Sequence, residues 1–177
     1  MTDGSTKPCA LIVMGVSGSG KSTIGEALGK FYGLPFLDGD SYHPPENVAK
    51  MKTGTPLNDA DRKPWLERLN REITERETTG KGAVLACSAL KATYRDILLK
   101  DLQKPGQRGP FTVCLNGTKD VIGERMKSRK GHFMPPSLLE SQLATLEPPQ
   151  ASDTVFVIDV GPTPEQIIES VTKRIGA

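Results

Sequence analysis

The 177-residue sequence predicts an α/β fold, in which a parallel sheet of five strands carries helices on both faces. Short apolar runs alternate with helical patterns along the whole chain, as is typical of successive βαβ units with right-handed connections. The apolar runs are unbroken, which indicates strands covered on both faces. Apolar residues make up 36% of the chain, so we expect a single domain over residues 1–177.

Five apolar runs predict the strands in chain order. The second run is short, and the others contain five to seven residues bounded by glycine, proline or charged residues. The predicted strands cover 10–14, 35–37, 83–87, 111–115 and 154–160. Because ligands of open α/β sheets bind beyond the carboxyl ends of the strands, the segments that follow these runs are candidate binding loops.

Apolar residues at helical spacing predict the helices between these strands. Trp65 lies in such a stripe and is predicted to pack in the core. Two more helices are predicted by capping-box patterns at their starts, Ser137 with Glu140 and Thr163 with Gln166. The helices predicted from spacing cover 22–32, 59–77, 92–100 and 118–127.

Composition excludes several classes of partner. Lys and Arg number 23 against 21 Asp and Glu, a net charge of +2, so we expect no nucleic acid partner. The longest apolar runs are far shorter than the roughly 18 to 20 residues that cross a bilayer, so no membrane span is predicted. The polar residues 1–8 lack a targeting pattern, which predicts a flexible start and a cytoplasmic location. Three widely spaced cysteines predict neither a disulfide nor a metal site.

The strongest signal for function is the segment Gly-Val-Ser-Gly-Ser-Gly-Lys-Ser at 15–22, which matches G-x-x-x-x-G-K-[ST] between a predicted strand and a predicted helix. Its glycines let successive backbone N–H groups point into one concavity at a helix N-terminus, where anions bind. This context favours a P-loop NTPase fold over a chance Gly/Ser-rich loop. Lys21 would reach the β- and γ-phosphates, and Ser22 would ligate Mg²⁺. The predicted nucleotide-binding residues are Gly15, Val16, Ser17, Gly18, Ser19, Gly20, Lys21, Ser22 and Thr23.

Two carboxylates, Asp38 and Asp40, follow the second predicted strand. In an extended segment side chains alternate, so both would face the same way, one serving a metal and the other a substrate. A kinase that phosphorylates an alcohol needs a positioned carboxylate to accept the hydroxyl proton. An Asp-Gly-Asp turn without chemistry is an equally good interpretation of these three residues alone.

A basic cluster with Arg125 and Arg129 precedes a Gly- and Pro-containing segment at 131–136. Such a charge run is usually a solvated helix face. It also suits a mobile lid, predicted near 127–137, that covers the γ-phosphate and excludes water. A guanine-specific switch would carry Asn-Lys-x-Asp, and Asn-Gly-Thr-Lys-Asp at 116–120 does not fit that pattern.

The chain resembles the P-loop gluconate kinases, within the group of shikimate kinases and nucleoside monophosphate kinases. The resemblance runs from about residue 11 to the C-terminal helix, whereas 1–8 and 104–110 match nothing in the family. The phosphate-loop stretch is common to many families, and the other stretches are specific. The matching stretches are Met14 to Thr23, Asp38-Gly39-Asp40 with His43-Pro44, Pro56 to Arg62 with Pro64-Trp65, Ala86 to Lys91 with Tyr94-Arg95-Asp96, Lys130 to Met134, and Glu140 to Pro149.

The resemblance implies transfer of the γ-phosphoryl group of ATP to the 6-hydroxyl of D-gluconate, with Mg²⁺ required. It implies that Asp38 lies near the metal through water, beside Ser22, and that Asp40 takes the proton of the acceptor hydroxyl. Arg125 would lie against the adenine or the phosphates. The adenine would be bounded by the lid-side arginine and by the loop at 159–162. Arg129 would stabilise the transferring phosphoryl group. The catalytic residues implied are Lys21, Asp40, Arg125 and Arg129.

A pocket for gluconate needs a cation for the carboxylate, and Arg62, Lys91 and Arg95 are the candidates. The resemblance favours Arg62, which matches in order the arginine that meets the substrate carboxylate in shikimate kinases. By spacing alone, a surface Arg62 paired with Asp59 or Asp61 is as good an interpretation.

Three further residues are predicted to contact gluconate. Ser88 follows the third strand, and His43 and His132, the two histidines of the chain, lie in segments that match the family. A histidine in a loop is more often a surface or packing residue than a ligand contact. The resemblance also suggests a homodimer, since members of the family are often dimers.

Two other functions stay open at this stage. One is a related kinase whose acceptor is shikimate or a nucleotide. Shikimate kinases typically carry a Gly-rich segment after the third strand, where this chain has Cys-Ser-Ala-Leu-Lys at 87–91, and no base-binding residues of a nucleotide kinase are found. The other is a non-catalytic nucleotide-binding module, which would need neither Asp40 nor a basic lid.

Overall fold

A parallel sheet of five strands lies at the centre of the molecule, as predicted. The computed structural model describes residues 7–102, 106–128 and 136–176. The strands are β1 (Ala10–Met14), β2 (Phe36–Asp38), β3 (Ala83–Cys87), β4 (Phe111–Asn116) and β5 (Val155–Asp159). They pair in the order β2-β3-β1-β4-β5. The central strands β1 and β3 are buried along their whole length, which explains their unbroken apolar sequences.

Seven α-helices surround the sheet in the described part of the chain. The sequence predicted all of them except the second, which has a single buried residue, Asn47, and therefore no apolar stripe. A short 3-10 helix, Gly39–Tyr42, was also missed. The helices are α1 (Lys21–Tyr32), α2 (Pro45–Lys52), α3 (Asp59–Thr78), α4 (Ala92–Leu99), α5 (Lys119–Ser128), α6 (Pro136–Thr145) and α7 (Pro164–Ile175).

The segment after β2 is not extended, and that prediction was wrong. The Asp38 carboxylate accepts a hydrogen bond from the backbone N–H of Asp40 at 3.1 Å, and this cap starts the 3-10 helix. Asp40 therefore lies in a tight turn of helix, where side chains do not alternate as they do in a strand.

The starts of three helices test the capping predictions. Thr163 and Gln166 form the predicted capping box of α7. The prediction at Ser137 was wrong, because α6 begins at Pro136, a residue that suits a first helical turn and places Ser137 inside the helix. A capping box that the sequence analysis missed starts α3, where Asn58 and Asp61 bond each other's backbone N–H at 2.8 and 3.0 Å.

The two faces of the sheet bury separate hydrophobic clusters. Alternate residues of β1 point to opposite sides, so Ile12 packs with Trp65 of α3, and Val13 packs with Leu28 of α1 and Val171 of α7. Trp65 is 1% exposed, and its predicted place in the core is confirmed. Among the described helices, none combines the length and hydrophobicity that a membrane-spanning helix needs.

Candidate active site

The carboxyl ends of three neighbouring strands bring the predicted site residues to one edge of the sheet. Met14, which ends β1, lies opposite Cys87 of β3, and Asp38, which ends β2, lies opposite Ala86. The loop at 15–20 follows the first of these strands, the 3-10 helix follows the second, and residues 88–91 follow the third. Segments far apart in sequence thus begin side by side.

The phosphate loop, residues 15–22, has the backbone that its sequence predicts. Gly15, Gly18 and Gly20 have φ angles of 150°, 80° and 98°, which favour glycine. A Cβ on Gly15 would lie 2.8 Å from the carbonyl oxygen of Leu115, so the close approach to β4 also requires glycine. Helix α1 starts at Lys21 without a side-chain cap, which leaves its first N–H groups directed at the loop.

Three polar side chains of the phosphate loop fit a triphosphate and its metal. The Lys21 ammonium donates to the carbonyl oxygen of Val16 at 3.0 Å, so its charge is held over the loop. The Ser19 hydroxyl is buried and has no hydrogen-bond partner among the described residues. The half-buried hydroxyl of Ser22 and the carboxylate of Asp38 offer oxygen ligands of the kind Mg²⁺ prefers. Thr23 is exposed beside them.

The carboxylate of Asp40 is exposed to solvent on a backbone that is held firmly from both sides. The Trp65 indole N–H donates to the carbonyl oxygen of Gly39 at 2.8 Å. The N–H of His43 donates to the carbonyl oxygen of Asp40 at 3.4 Å. A Cβ on Gly39 would lie 2.5 Å from the carbonyl oxygen of Ala86, so the turn sits directly on β3. The Asp40 carboxylate is therefore accessible, on a backbone that is held in place.

The pKa of the Cys87 thiol is affected by charged side chains from three different parts of the chain. Burial raises the pKa of its thiol to about 12. The negative charge of Asp40 adds to this increase in pKa, and the positive charges of Lys21 and Arg62 oppose it. All three groups consequently lie within electrostatic range of the same buried sulfur atom, so the structure brings together three of the predicted site residues.

Arg62 is buried, with 8% of its surface exposed. Its Nε donates to the carbonyl oxygen of Leu57 at 3.3 Å, and its guanidinium lies 5.5 Å from the centre of the Tyr94 ring. A backbone carbonyl and an aromatic face orient the guanidinium without neutralising it.

The interpretation of Arg62 as a surface partner of Asp59 or Asp61 does not hold. Lys91 binds Asp59 at 2.8 Å, and Lys50 binds Asp61 at 2.7 Å. Arg62 only helps, through its charge, to lower the pKa of both carboxyls, for which hydrogen bonds from the two lysines are the larger cause. Within the described residues Arg62 forms no ion pair, whereas the Lys91 ammonium already has one.

Arg95 holds the loop after β3. Its guanidinium donates to the carbonyl oxygens of Ala89 and Leu90 at 3.0 and 3.2 Å. Ala89 has a φ of 44°, an unfavourable left-handed conformation that these bonds help to maintain. The half-buried Ser88 precedes it in the same loop. Arg95 thus has a structural role, and its contact with a substrate stays a prediction.

Two residues that sequence reasoning missed join the loops of the site to the α6 region. The side-chain oxygen of Gln142 accepts the N–H of Ser17 in the phosphate loop at 2.7 Å. The carboxylate of Glu147 accepts the N–H of Ala92 at 2.8 Å, where α4 begins without a cap of its own. These contacts span 125 and 55 residues of sequence, and no local pattern signals them.

Helix α5 forms another wall of the phosphate loop. A Cβ on Gly18 would lie 2.6 Å from the side chain of Met126, so the loop packs directly on this helix. Arg125 donates to the carbonyl oxygen of Val160, at the loop after β5, and its guanidinium also lies near Gly20. Arg125 therefore lies between the phosphate loop and the segment predicted to border the adenine.

Several predictions concern residues outside the described ranges. Arg129 and His132 lie there, as do 129–135 of the predicted lid and residues 1–6 of the predicted flexible start. Among the described residues, His43 is the remaining predicted contact, and its ring stacks on Trp65 with 4.0 Å between the ring centres.

Comparison with known proteins identifies the relatives of this chain. A family model described as shikimate kinase matches residues 17–175. A gluconokinase of Gluconobacter oxydans (strain 621H) is 43% identical over 172 residues, which cover 97% of this chain and 93% of the relative. A thermoresistant gluconokinase of Escherichia coli (strain K12) is 42% identical over 165 residues, covering 93% of this chain and 91% of the relative.

The fold is shared with a solved relative as well. The crystal structure of a gluconokinase from Sinorhizobium meliloti 1021 superposes with a TM-score of 0.83 at 43% identity, covering 97% of this chain and 92% of that one. The sequence identity and the structural superposition both extend over nearly the full length of the two chains. This chain belongs to the gluconokinase family of P-loop kinases.

Proposed function

We propose that the protein transfers the γ-phosphoryl group of ATP to the 6-hydroxyl of D-gluconate, giving 6-phospho-D-gluconate and ADP. The observation that carries this proposal is that β1, β2 and β3 end side by side, which brings Lys21 and Asp40 to one edge of the sheet. The helix that carries Arg62 is joined to the same edge by the Trp65–Gly39 hydrogen bond. These three residues supply a phosphate-binding cation, a carboxylate for the acceptor hydroxyl and a cation for an acidic substrate. The identity of 42 to 43% to gluconokinases supports the same reaction.

The nucleotide half of the reaction is assigned to the phosphate loop. Its N–H groups and Lys21 would hold the β- and γ-phosphates, and Ser22 and Asp38 are the residues that would hold Mg²⁺. The metal, when bound, supplies positive charge that offsets the charge on the phosphoryl oxygens. Arg125 and Arg129 add positive charge from the side of α5 and the segment that follows it.

The acceptor half is assigned to Asp40. Its carboxylate takes the proton of the 6-hydroxyl while that oxygen forms a bond to the γ-phosphorus atom and the bond to the oxygen of ADP breaks. The exposed carboxylate and its firmly held backbone suit this role, because proton transfer requires a fixed distance to the hydroxyl.

The carboxylate of gluconate is assigned to Arg62. Of the predicted cations, Lys91 is already paired with Asp59 and Arg95 donates to backbone carbonyls, whereas Arg62 keeps an uncompensated charge within the described residues. His43, Ser88, Lys91, Arg95 and His132 remain the predicted contacts for the hydroxyl groups of the substrate.

The domain organisation, the location and the partners of the protein are part of the same proposal. One continuous sheet supports a single kinase domain over 1–177. The three cysteines carry free thiols, which suits a reducing compartment and hence the cytoplasm. The small net charge of +2 fits a partner set without nucleic acid, and membership of the family supports a homodimer.

ADP release tests the proposed function. The protein is mixed with ATP, Mg²⁺ and one acceptor at a time: D-gluconate, shikimate, AMP, related sugar acids, or none. We expect turnover with D-gluconate that is lost in Lys21→Ala. Turnover with another acceptor would refute the assigned substrate but keep the phosphate loop, and no turnover with any acceptor would indicate a binding module.

A further inference from the structure

The ring of His43 is held on two sides by residues that the proposed reaction does not use. Trp65 stacks on one face, with the ring planes tilted by 17°. Asn47 approaches the edge, where its Nδ2 lies 3.3 Å from Nδ1 of the histidine. Asn47 is 3% exposed and is the one buried residue of the polar helix α2. A buried amide at this place has a hydrogen-bonding role rather than a packing role.

The second partner of Asn47 determines the protonation state of His43. Nδ2 of Asn47 also lies 2.9 Å from the backbone carbonyl oxygen of Asp61. A carbonyl oxygen only accepts hydrogen bonds, so the NH₂ end of the amide must face it. The same amide nitrogen cannot accept, and Nδ1 of His43 must therefore be the acceptor. The ring is then neutral, with its hydrogen on Nε2.

The electrostatic surroundings favour the same neutral form. Burial, helped by the charge of Arg62, lowers the pKa of His43 from 6.5 to about 4. The other charged groups nearby are Asp40, three residues earlier, and the Lys50–Asp61 ion pair that joins α2 to α3. Protonation would place an N–H of the ring against the NH₂ group of Asn47 and a second positive charge beside Arg62.

The Nε2–H group of this ring has no hydrogen-bond partner among the described residues. His43 directly follows the 3-10 helix that carries Asp40, and its backbone N–H donates to the carbonyl oxygen of Asp40. We propose that Asn47 is a positioning residue that holds His43 in the Nε2–H form, and that this N–H donates to a hydroxyl oxygen of the acceptor. The second half of this proposal rests on the proposed function.

A neutral donor has a specific consequence for substrate choice. It recognises a hydroxyl without adding charge, so the acidic group of the substrate is left to Arg62 alone. A bound substrate that leaves the Nε2–H group without a hydrogen bond loses binding free energy. An analogue that lacks the matching hydroxyl should therefore react poorly. His43 is thereby assigned to specificity and excluded as the base of the reaction.

Nitrogen NMR of the free enzyme tests the first half of the proposal. The chain has two histidines, so the spectrum of His132→Asn contains His43 alone. We expect a proton on Nε2, a bare Nδ1, and no titration between pH 8 and pH 5. In Asn47→Asp, whose carboxylate accepts from Nδ1, we expect a proton on Nδ1. A proton on Nδ1 in the parent spectrum, or titration near 6.5, would overturn the proposal.

Kinetics test the second half. His43→Leu removes the donor and should lower kcat/KM for gluconate about 10- to 100-fold while the KM for ATP stays unchanged. His43→Gln places an amide N–H near the position of Nε2 and should recover most of the loss. Equal rates in wild type and His43→Leu would refute the donor role. A wild type that fails to turn over gluconate would instead refute the proposed function, and the NMR result would still decide the protonation state.

Discussion

The phosphate loop and the region around Asp40 and Arg62, to which the acceptor is assigned, are built in different ways. We call the second region the acceptor wall, and it comprises residues 39–43, α2, and residues 58–65, which cap and begin α3. In the phosphate loop, the groups proposed to bind phosphate are mainly backbone N–H groups of consecutive residues, although that of Ser17 donates to Gln142. In the acceptor wall, the proposed binding groups are side chains, and those of Arg62 and His43 are held by a carbonyl or by other side chains. Binding through backbone N–H groups suits any triphosphate, whereas binding through side chains can select one acceptor.

Asp40→Asn has the largest expected effect. It should remove the catalytic function of the acceptor wall and leave the phosphate loop intact. Loss of the proton acceptor should lower kcat about 1,000-fold. Binding of a nonhydrolysable ATP analogue, followed by calorimetry, should match wild type, because Asp40 is not part of the phosphate loop. More than a tenth of wild-type turnover in the variant would contradict the assigned role.

Arg62→Ala tests the charge of the acceptor wall. Removal of a buried cation from a carboxylate should raise the KM for gluconate about 10- to 100-fold and leave the KM for ATP unchanged. Lys50→Ala is the matched control, since Lys50 is 42% exposed and its pair with Asp61 is worth little. Equal changes in both variants would show that Arg62 acts through the fold alone.

Gln142→Ala should have the opposite effect, changing ATP binding and not gluconate binding, because Gln142 contacts the phosphate loop from α6. Without its acceptor, the N–H of Ser17 loses a bond of 2.7 Å, and the affinity for ATP should fall roughly 5-fold. The KM for gluconate should stay unchanged. Ser141→Ala, one residue earlier on α6, serves as the control for helix stability. A gluconate KM that rises as much as the ATP KM would mean that the two regions are not separable.

Acid sensitivity is the smallest expected effect and belongs to the acceptor wall. Hydrogen bonds from Lys91 and Lys50 lower the pKa of Asp59 and Asp61 below 3.8 in the folded protein. Their stabilising contribution is complete above 3.8 and is lost as the pH falls through the lower folded value. Asp61→Asn should therefore reduce the loss of stability between pH 5 and pH 3, measured by urea unfolding. An unchanged slope would contradict this assignment.

The same contrast explains what sequence could and could not predict. The strands and the phosphate loop are encoded by neighbouring residues, so β1 and β3 agree with prediction residue for residue. The acceptor wall depends on contacts such as Trp65 with Gly39, 26 residues apart. Helix α2 has no apolar stripe, and its role appears only when Asn47 is seen to reach Asp61.

Individual site residues show the same division. Lys21 is predicted from eight consecutive residues, and in the structure it starts α1 with its ammonium on the carbonyl oxygen of Val16, while its contact with phosphate stays a prediction. Arg62 was recognised as a cation, yet its lack of a carboxylate partner in the described part of the chain depends on Lys50 and Lys91, which neutralise its neighbours. Gln142 carries no signal in its local sequence, because a glutamine on a helix surface is common.

The chemical reactivity of the buried Cys87 thiol can report transient opening of the site. A thiol with a pKa of about 12 is almost entirely un-ionised at neutral pH, and burial shields it from reagents. Alkylation by iodoacetamide must wait until the strands and turns around the sulfur transiently separate. The labelling rate at Cys87 consequently measures how often the site opens, and ligands that join the phosphate loop to the acceptor wall should slow it.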